Sequence, residues 1–246
     1  MLSLEDTTAV ILAGGLGTRL REVVSDLPKV LAKVNGRPFL AYLLDRLVDA
    51  GIRRTVLCTG YLAELVSTTF GESYRGMNLL YSREDTPLGT GGALRLALPL
   101  ITSDPVLVLN GDSFCNADFI LFANQHQSVS AKISLLLTQV KDVARYGTVD
   151  TDGAGTVVSF REKGSHCGEG LINAGVYLLT RSNIATVPEG KPVSLERDVF
   201  PMLIGDGLYG FFQPTRFIDI GIPADYHAAD SFLRDSAHSI PPGEKS

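Results

Sequence analysis

Apolar positions along this chain follow two regimes. Up to about residue 130, short β-rich apolar runs alternate with segments whose apolar residues recur every three or four positions. "TTAVILA", "RRTVLCTG", "GMNLLYS" and "DPVLVLNGDSF" read as strands, each ending at glycine or a polar turn residue. "RPFLAYLLDRLVDAG", "LAELVSTTFG", "TGGALRLALPL" and "ADFILFANQHQ" read as helices between and after them, the first stopped by Gly51.

After residue 131 the pattern shifts toward period two. "AKISLLLTQV", "GTVDTDGAGTVVSFREK", "LINAGVYLLT" and "GLYGFFQPTRFIDIG" are mainly strands. "VSLERDVFPMLI" reads as a helix between them, and "PADYHAADSFLRDS" as a last helix with Pro223 early in it. The predicted fold class is α/β: a doubly wound, Rossmann-like, mostly parallel mixed sheet, with a substrate-facing lobe in the second half. One domain is expected over residues 1–235, divided near 130/131, with 236–246 as a flexible tail. No internal repeat is visible.

The 246 residues are 45% hydrophobic, enough for a sizeable core. A net charge of -5 and a pI of about 5.4 argue against nucleic acid as a partner. A small anionic ligand needs only a few local cations and stays open. The three cysteines, Cys58, Cys115 and Cys167, are widely spaced and form no C-x-x-C. They read as reduced thiols in or near the core. The start "MLSLEDTT" does not read as a signal peptide, and no apolar run reaches membrane-span length, so a cytoplasmic protein with no membrane partner is expected. His126, His166, His227 and His238 fall in no catalytic or metal pattern and read as surface or structural residues.

The first strand runs into Gly14, Gly15 and Gly17, followed by Thr18, Arg19 and, after Leu27-Pro28, Lys29. In an open α/β sheet, ligands bind beyond the C-terminal strand ends, and glycine lets backbone N–H groups approach phosphate oxygens. A Walker loop requires Gly-Lys-Ser/Thr, which is missing. A dinucleotide fingerprint requires a third glycine where Leu20 stands, which also excludes the NAD(P)-linked reading. A tight strand-to-helix turn without ligand remains the alternative, weakened by the two cations.

"LAGGLGTRL" followed by "LPK" resembles the signature of sugar-nucleotide pyrophosphorylases, the nucleotidyltransferases that activate sugar 1-phosphates. The resemblance runs from Val10 to about Tyr226, with Val30 where many members carry a second proline. It implies an enzyme in which a sugar 1-phosphate oxygen attacks the α-phosphorus of a nucleoside triphosphate and pyrophosphate leaves. Such a reaction is carried by alignment and charge neutralisation. Arg19 would clamp the leaving phosphates and Lys29 would neutralise charge near the α-phosphate, with Leu12, Ala13, Gly14, Gly15, Gly17 and Thr18 forming the cradle. Asp112 in "VLVLNGDSF" and Asp219 in "FIDIG" would hold Mg²⁺, a hard cation suited to one or two carboxylates. Each could instead be a turn-capping aspartate.

The resemblance assigns "PLGTGGAL", with Gly89 and Thr90, to the nucleobase. Glu84, just before it, sharpens the expectation. A carboxylate accepts two hydrogen bonds side by side, matching guanine N1–H and the N2 amine, whereas uracil and thymine offer one N–H flanked by acceptors. Glu84 therefore favours GTP, the alternative being a surface glutamate with backbone groups choosing the base. For the sugar-binding lobe the resemblance implies Gly147 in "RYGTV", Glu162 and Lys163 in "FREK", and Asn173 in "INAGVY". In "SLERDVFP", Glu196 and Asp198 are candidates that could equally form a helix-start salt bridge.

Within the family the chain looks most like the D-glycero-α-D-manno-heptose 1-phosphate guanylyltransferases, which feed bacterial surface-glycan pathways such as lipopolysaccharide and capsule. Mannose-1-phosphate guanylyltransferases and N-acetylmuramate-1-phosphate uridylyltransferases are the alternatives. A non-catalytic nucleotide-sugar sensor is the reading from another class, opposed by the presence of Arg19, Lys29, Asp112, Lys163 and Asp219. A monomer and a small homo-oligomer are both compatible with the sequence.

Overall fold

A computed structural model of the chain describes residues 3–15, 17, 20, 24, 27–161 and 167–236. The first half contains β1 (Thr8–Leu12), β2 (Lys33–Val34), β3 (Arg37–Pro38), α1 (Phe39–Asp49), β4 (Arg54–Thr59), α2 (Ala63–Phe70), β5 (Ser73–Tyr74), β6 (Met77–Arg83), α3 (Gly89–Ala97), β7 (Val106–Asn110), β8 (Ser113–Cys115) and α4 (Phe119–Ser128). The second half contains β9 (Ile133–Val140), β10 (Thr148–Thr151), β11 (Val157–Arg161), β12 (Gly170–Leu179), α5 (Arg181–Ala185), β13 (Leu208–Phe212), β14 (Phe217–Asp219) and α6 (Pro223–Ser236).

Among the described residues the main sheet has ten strands, in the order β11-β10-β12-β7-β1-β4-β6-β5, with β9 also against β12 and β13 against β9. Its centre, β7-β1-β4-β6, is parallel. The predicted fold class therefore holds: an α/β protein with a mixed sheet around a parallel centre. The joins β12 to β7, β9 and β10, and β10 to β11, are antiparallel, which is where the second half attaches.

Period-two alternation sorts the central strands into two cores. Ile11, Leu57, Leu107 and Leu109 point to one face, where they meet buried residues of α1, α2, α4 and α6. Val10, Val56 and Val108 point to the other, packed with Ala93, Leu94 and Ala97 of α3, Ile184 of α5, Leu195 and Phe200. Both faces are covered, so these strands are apolar almost throughout, as parallel strands under helices must be. Truncating a fully buried residue such as Leu44 of α1 to alanine removes about 2–5 kcal/mol of stability.

Two local features depart from the sequence expectations. The helix expected over "VSLERDVFPMLI" is instead a wide π turn, Leu195–Val199, followed by a 3-10 turn, Phe200–Leu203. Pro201 lacks the N–H that an α-helix would use there, so the regular ladder cannot run through. Ser194 caps the start: its hydroxyl accepts from Arg197 N at 3.2 Å, and Asp198 Oδ2 accepts from Ser194 N at 2.7 Å. Asp198 is thus a capping residue and pairs with no basic side chain among the described residues. Cys58 and Cys115 are buried as expected, whereas Cys167 is exposed. His126 is buried and shares a 2.8 Å hydrogen bond with Ser134, a structural role, and burial lowers its pKa. Among the described residues, no helix is long and apolar enough to cross a membrane.

Candidate active site

The site forms where the parallel strands end. Ala13 N donates to Cys58 O at 2.8 Å and Gly111 N to Leu12 O at 2.9 Å, which stitches the turn after β1 between β4 and β7. Two cavities open over these ends. The smaller, about 250 Å³, is lined by Leu12, Ala13, Gly14, Glu84, Gly89 and Thr90, all expected for the nucleotide. The larger, about 580 Å³, is lined by Gly147, Asn173, Glu196 and Asp219, together with Gly17 of the cradle. Gly15, Lys29, Asn110 and Asp112 line both, so the cavities meet at a cation and a carboxylate. Thr18, Arg19, Glu162, Lys163, His166 and His238 lie outside the described residues.

At that junction Lys29 opens a 3-10 turn, Lys29–Leu31, directly after Pro28, whose extended backbone sets the direction of entry. Val30 and Leu31 are buried and anchor the turn. The two aspartates are brought together by an unforeseen pair of short strands. β14 pairs antiparallel with β8, setting Asp219 opposite Ser113, and Ile220 N donates to Asp112 O at 2.9 Å. Lys29 Nζ donates to Asp112 Oδ2 at 2.7 Å and stands 3.8 Å from Asp219 Oδ1. The lysine side chain is 13% exposed and the carboxylates 41% and 34%, so the cation is held from beneath while both acids face the cavity. Asp219 Oδ1 also accepts from Gly221 N, which fixes its orientation.

These residues fit a hard divalent cation. No group of three or more metal-ligating side chains exists among the described residues. Two carboxylates, Asp112 where the cavities meet and Asp219 in the larger one, suit an ion that takes few protein ligands and completes its shell with phosphate oxygen and water.

In the smaller cavity the Glu84 carboxylate packs against glycine on two sides. A Cβ on Gly14 would lie 2.6 Å from Glu84 Oε1, and one on Gly60 2.8 Å from it. Glu84 Oε2 accepts from Leu88 N at 3.0 Å. Burial raises the Glu84 pKa, partly offset by that hydrogen bond. The glycines at the start of α3 have a packing role besides any contact with a base. Gly89 has φ +70°, and a Cβ there would stand 2.6 Å from Val193 O. The same carbonyl accepts from Gly91 N and Gly92 N.

In the larger cavity a hydrogen-bonded chain orders the side chains. Asn173 Oδ1 accepts from Gly175 N at 2.8 Å, which turns its amide nitrogen toward Tyr177. The Tyr177 hydroxyl accepts from Asn173 Nδ2 and Asn110 Nδ2 and donates to Glu196 Oε1 at 3.1 Å. Burial, and then the Glu196 charge, raise the Tyr177 pKa well above its ordinary value, so it remains a donor. Glu196 thus sits in a polar network rather than in a helix-start salt bridge. Sequence reading missed Asn110 and Tyr177. The strand period does not carry them, because β12 bulges between Asn173 and Tyr177, with Gly175 at φ +72°, and only the fold brings the Tyr177 hydroxyl to Asn173 and to Asn110 at the end of β7.

A glycine turn at the end of a central parallel strand, with a lysine and an aspartate where two cavities meet and a second aspartate 3.8 Å from that lysine, suits nucleotidyl transfer. The chain belongs to the nucleotidyl transferase family, whose model matches residues 8–236, and is an enzyme of the nucleotidyltransferase class. It is 41% identical to the D-glycero-α-D-manno-heptose 1-phosphate guanylyltransferase of Aneurinibacillus thermoaerophilus, over 92% of this chain and 98% of that one. It is 38% identical to the mannose-1-phosphate guanylyltransferase of Mycobacterium tuberculosis, over 94% of this chain and 64% of that one. The crystal structure of HddC from Yersinia pseudotuberculosis complexed with GMP-PN superimposes with a TM-score of 0.81 at 36% identity, covering 92% of this chain and 99% of that chain.

Proposed function

We propose that this enzyme transfers GMP from GTP to a sugar 1-phosphate and releases pyrophosphate. D-glycero-α-D-manno-heptose 1-phosphate is the favoured acceptor, GDP-heptose the product, and mannose 1-phosphate the alternative. The observation that carries the reading is the meeting of the two cavities at Lys29 and Asp112. A nucleotide in the smaller cavity would present its α-phosphorus there, and a sugar 1-phosphate in the larger one would present its attacking oxygen from the other side. The names of the heptose relatives and of the GMP-PN complex support guanine and heptose.

The roles of the described residues rest on that arrangement, and those of Thr18, Arg19, Glu162 and Lys163 on the family resemblance. The turn Leu12 to Gly17 holds the phosphates, and Lys29 neutralises charge developing at the α-phosphorus. Arg19 clamps the leaving phosphates, and Thr18 belongs to the nucleotide-binding cradle. Glu84 accepts the guanine N1–H and N2 amine, with Gly89 against the base. Gly147, Glu162, Lys163, Asn173 and Glu196 hold the sugar phosphate. Asp112 and Asp219 would hold Mg²⁺, which supplies charge neutralisation between the two substrate anions. Lys29, held between these two carboxylates, would supply a positive charge beside the bound phosphates. The working compartment is the cytoplasm, and the acidic surface favours small-molecule substrates.

Pyrophosphate release measured across GTP, UTP, dTTP and ATP, against heptose, mannose and N-acetylmuramate 1-phosphates, tests the reading. GTP with heptose 1-phosphate should be the fastest pair. Faster turnover with UTP would overturn the Glu84 argument, and faster turnover with mannose 1-phosphate would select the alternative acceptor.

A further inference from the structure

Thr90 and Glu196 belong to different cavities yet are joined directly. Thr90 lines the smaller cavity and Glu196 the larger. Thr90 Oγ1 donates to Glu196 Oε2 at 2.8 Å and accepts from Leu195 N at 2.8 Å. A threonine hydroxyl has one proton, so its donor is committed to the carboxylate. Ser194 Oγ also donates to Oε2, at 3.0 Å, and Tyr177 donates to Oε1. Three protein donors therefore occupy three of the roughly four acceptor directions of a carboxylate, leaving one for a ligand. The segment behind Glu196 is tied to α3 as well, through Val193 O with Gly91 N and Gly92 N, and Val193 N with Leu88 O.

We propose that the Thr90 hydroxyl, although carried by the helix that faces the nucleotide, is a positioning residue for the sugar 1-phosphate, acting through Glu196. The inference rests on the proposed function and sharpens it. The nucleotide meets α3 through backbone, while the Thr90 side chain turns away to hold the acid that receives a sugar hydroxyl. The irregular turn at Leu195–Val199 makes this support necessary. Glu196 sits in a π turn rather than on a regular helix, so cross-links fix the carboxylate where a backbone ladder would otherwise do so. Tyr177 is the partner support from the sheet side, itself oriented by Asn173 and Asn110.

The test is steady-state kinetics of Thr90→Val, Thr90→Ser and Tyr177→Phe, varying GTP and the sugar 1-phosphate separately. Thr90→Val keeps the shape and removes the donor. It should raise the sugar 1-phosphate KM about tenfold and hold the GTP KM within about twofold. Thr90→Ser keeps the donor and should restore most of the sugar 1-phosphate KM. Tyr177→Phe keeps the ring against Phe200 and should shift the same constant in the same direction. If Thr90→Val does not fold, as judged by thermal unfolding, Tyr177→Phe and Thr90→Ser carry the decision. A rise in the GTP KM instead, or equal impairment of Thr90→Ser and Thr90→Val, or a flat sugar 1-phosphate KM in an active series, would overturn the inference alone. A wild-type enzyme that transfers to no sugar 1-phosphate would overturn the proposed function and the inference with it.

Discussion

The two cavities are built from different materials. The smaller is rich in glycine: Gly14 and Gly15 in the turn after β1, Gly89 at the start of α3 and Gly111 after β7, with Glu84 packed close against Gly14. The larger is mostly side chains gathered from β12, β14, the π turn and the loop before β10, and ordered by hydrogen bonds among themselves. A backbone cradle fails by steric intrusion, whereas a side-chain network fails by loss of a donor. The two should therefore answer differently to substitution, and the junction at Lys29 and Asp112 should answer to both.

The junction gives the largest expected effect. Asp112→Asn removes the carboxylate charge that pairs with Lys29 and is proposed to hold the metal, and should lower kcat about 10³-fold without unfolding the protein. Unchanged turnover would remove Asp112 from the metal site. Next comes Glu84→Gln, which replaces one acceptor with a donor at the position proposed to face guanine. It should raise the GTP KM about 10- to 100-fold and leave the sugar 1-phosphate KM alone, as the loss of a bidentate base contact does. A smaller effect is expected from Gly14→Ala, whose Cβ would press on Glu84 Oε1. The GTP KM should rise about tenfold, while Asn173→Ala should move only the sugar 1-phosphate KM. If either variant moved both constants equally, the division of the site would be wrong.

The smallest effect is a pH dependence. In its proposed role Glu84 must be ionised to accept both guanine donors, and burial raises its pKa, so the charged form is lost earlier on acidification than for an ordinary carboxylate. The GTP KM should rise as pH falls toward that raised value, while the sugar 1-phosphate KM changes less over the same range. Glu84→Gln should flatten the GTP profile. A profile that persists in Glu84→Gln would assign the titration to another group.

The contrast between the cavities also explains what could be read from the sequence. The parallel centre was legible because β1, β4, β6 and β7 are short apolar runs between amphipathic segments. The glycine turn after β1 was legible because such a turn needs glycine at fixed offsets, and Gly14, Gly15 and Gly17 lie close together in the chain. Asp112 and Asp219 each stood out at the end of an apolar run, but the β8–β14 pairing that joins them did not. Three-residue strands carry too little pattern to be detected. The Tyr177–Glu196–Thr90 chain was invisible for a related reason. Its members come from β12, the π turn and α3, and only the fold makes them neighbours. Pro201 was a visible warning against a regular helix after Ser194, and its effect on the position of Glu196 appears only in the structure.

The most direct measurement follows the α-phosphate itself. GTP labelled at the α-phosphorus, incubated with D-glycero-α-D-manno-heptose 1-phosphate and Mg²⁺, should give all of the label in the sugar nucleotide, while label at the γ-phosphorus appears only in pyrophosphate. Transfer of α-label to the sugar nucleotide in wild type and its loss in Asp112→Asn would bear out a site in which the two substrates meet at Lys29 and Asp112. Label from the γ-position in a sugar phosphate, or α-label retained in GTP under conditions where UTP is consumed, would contradict it.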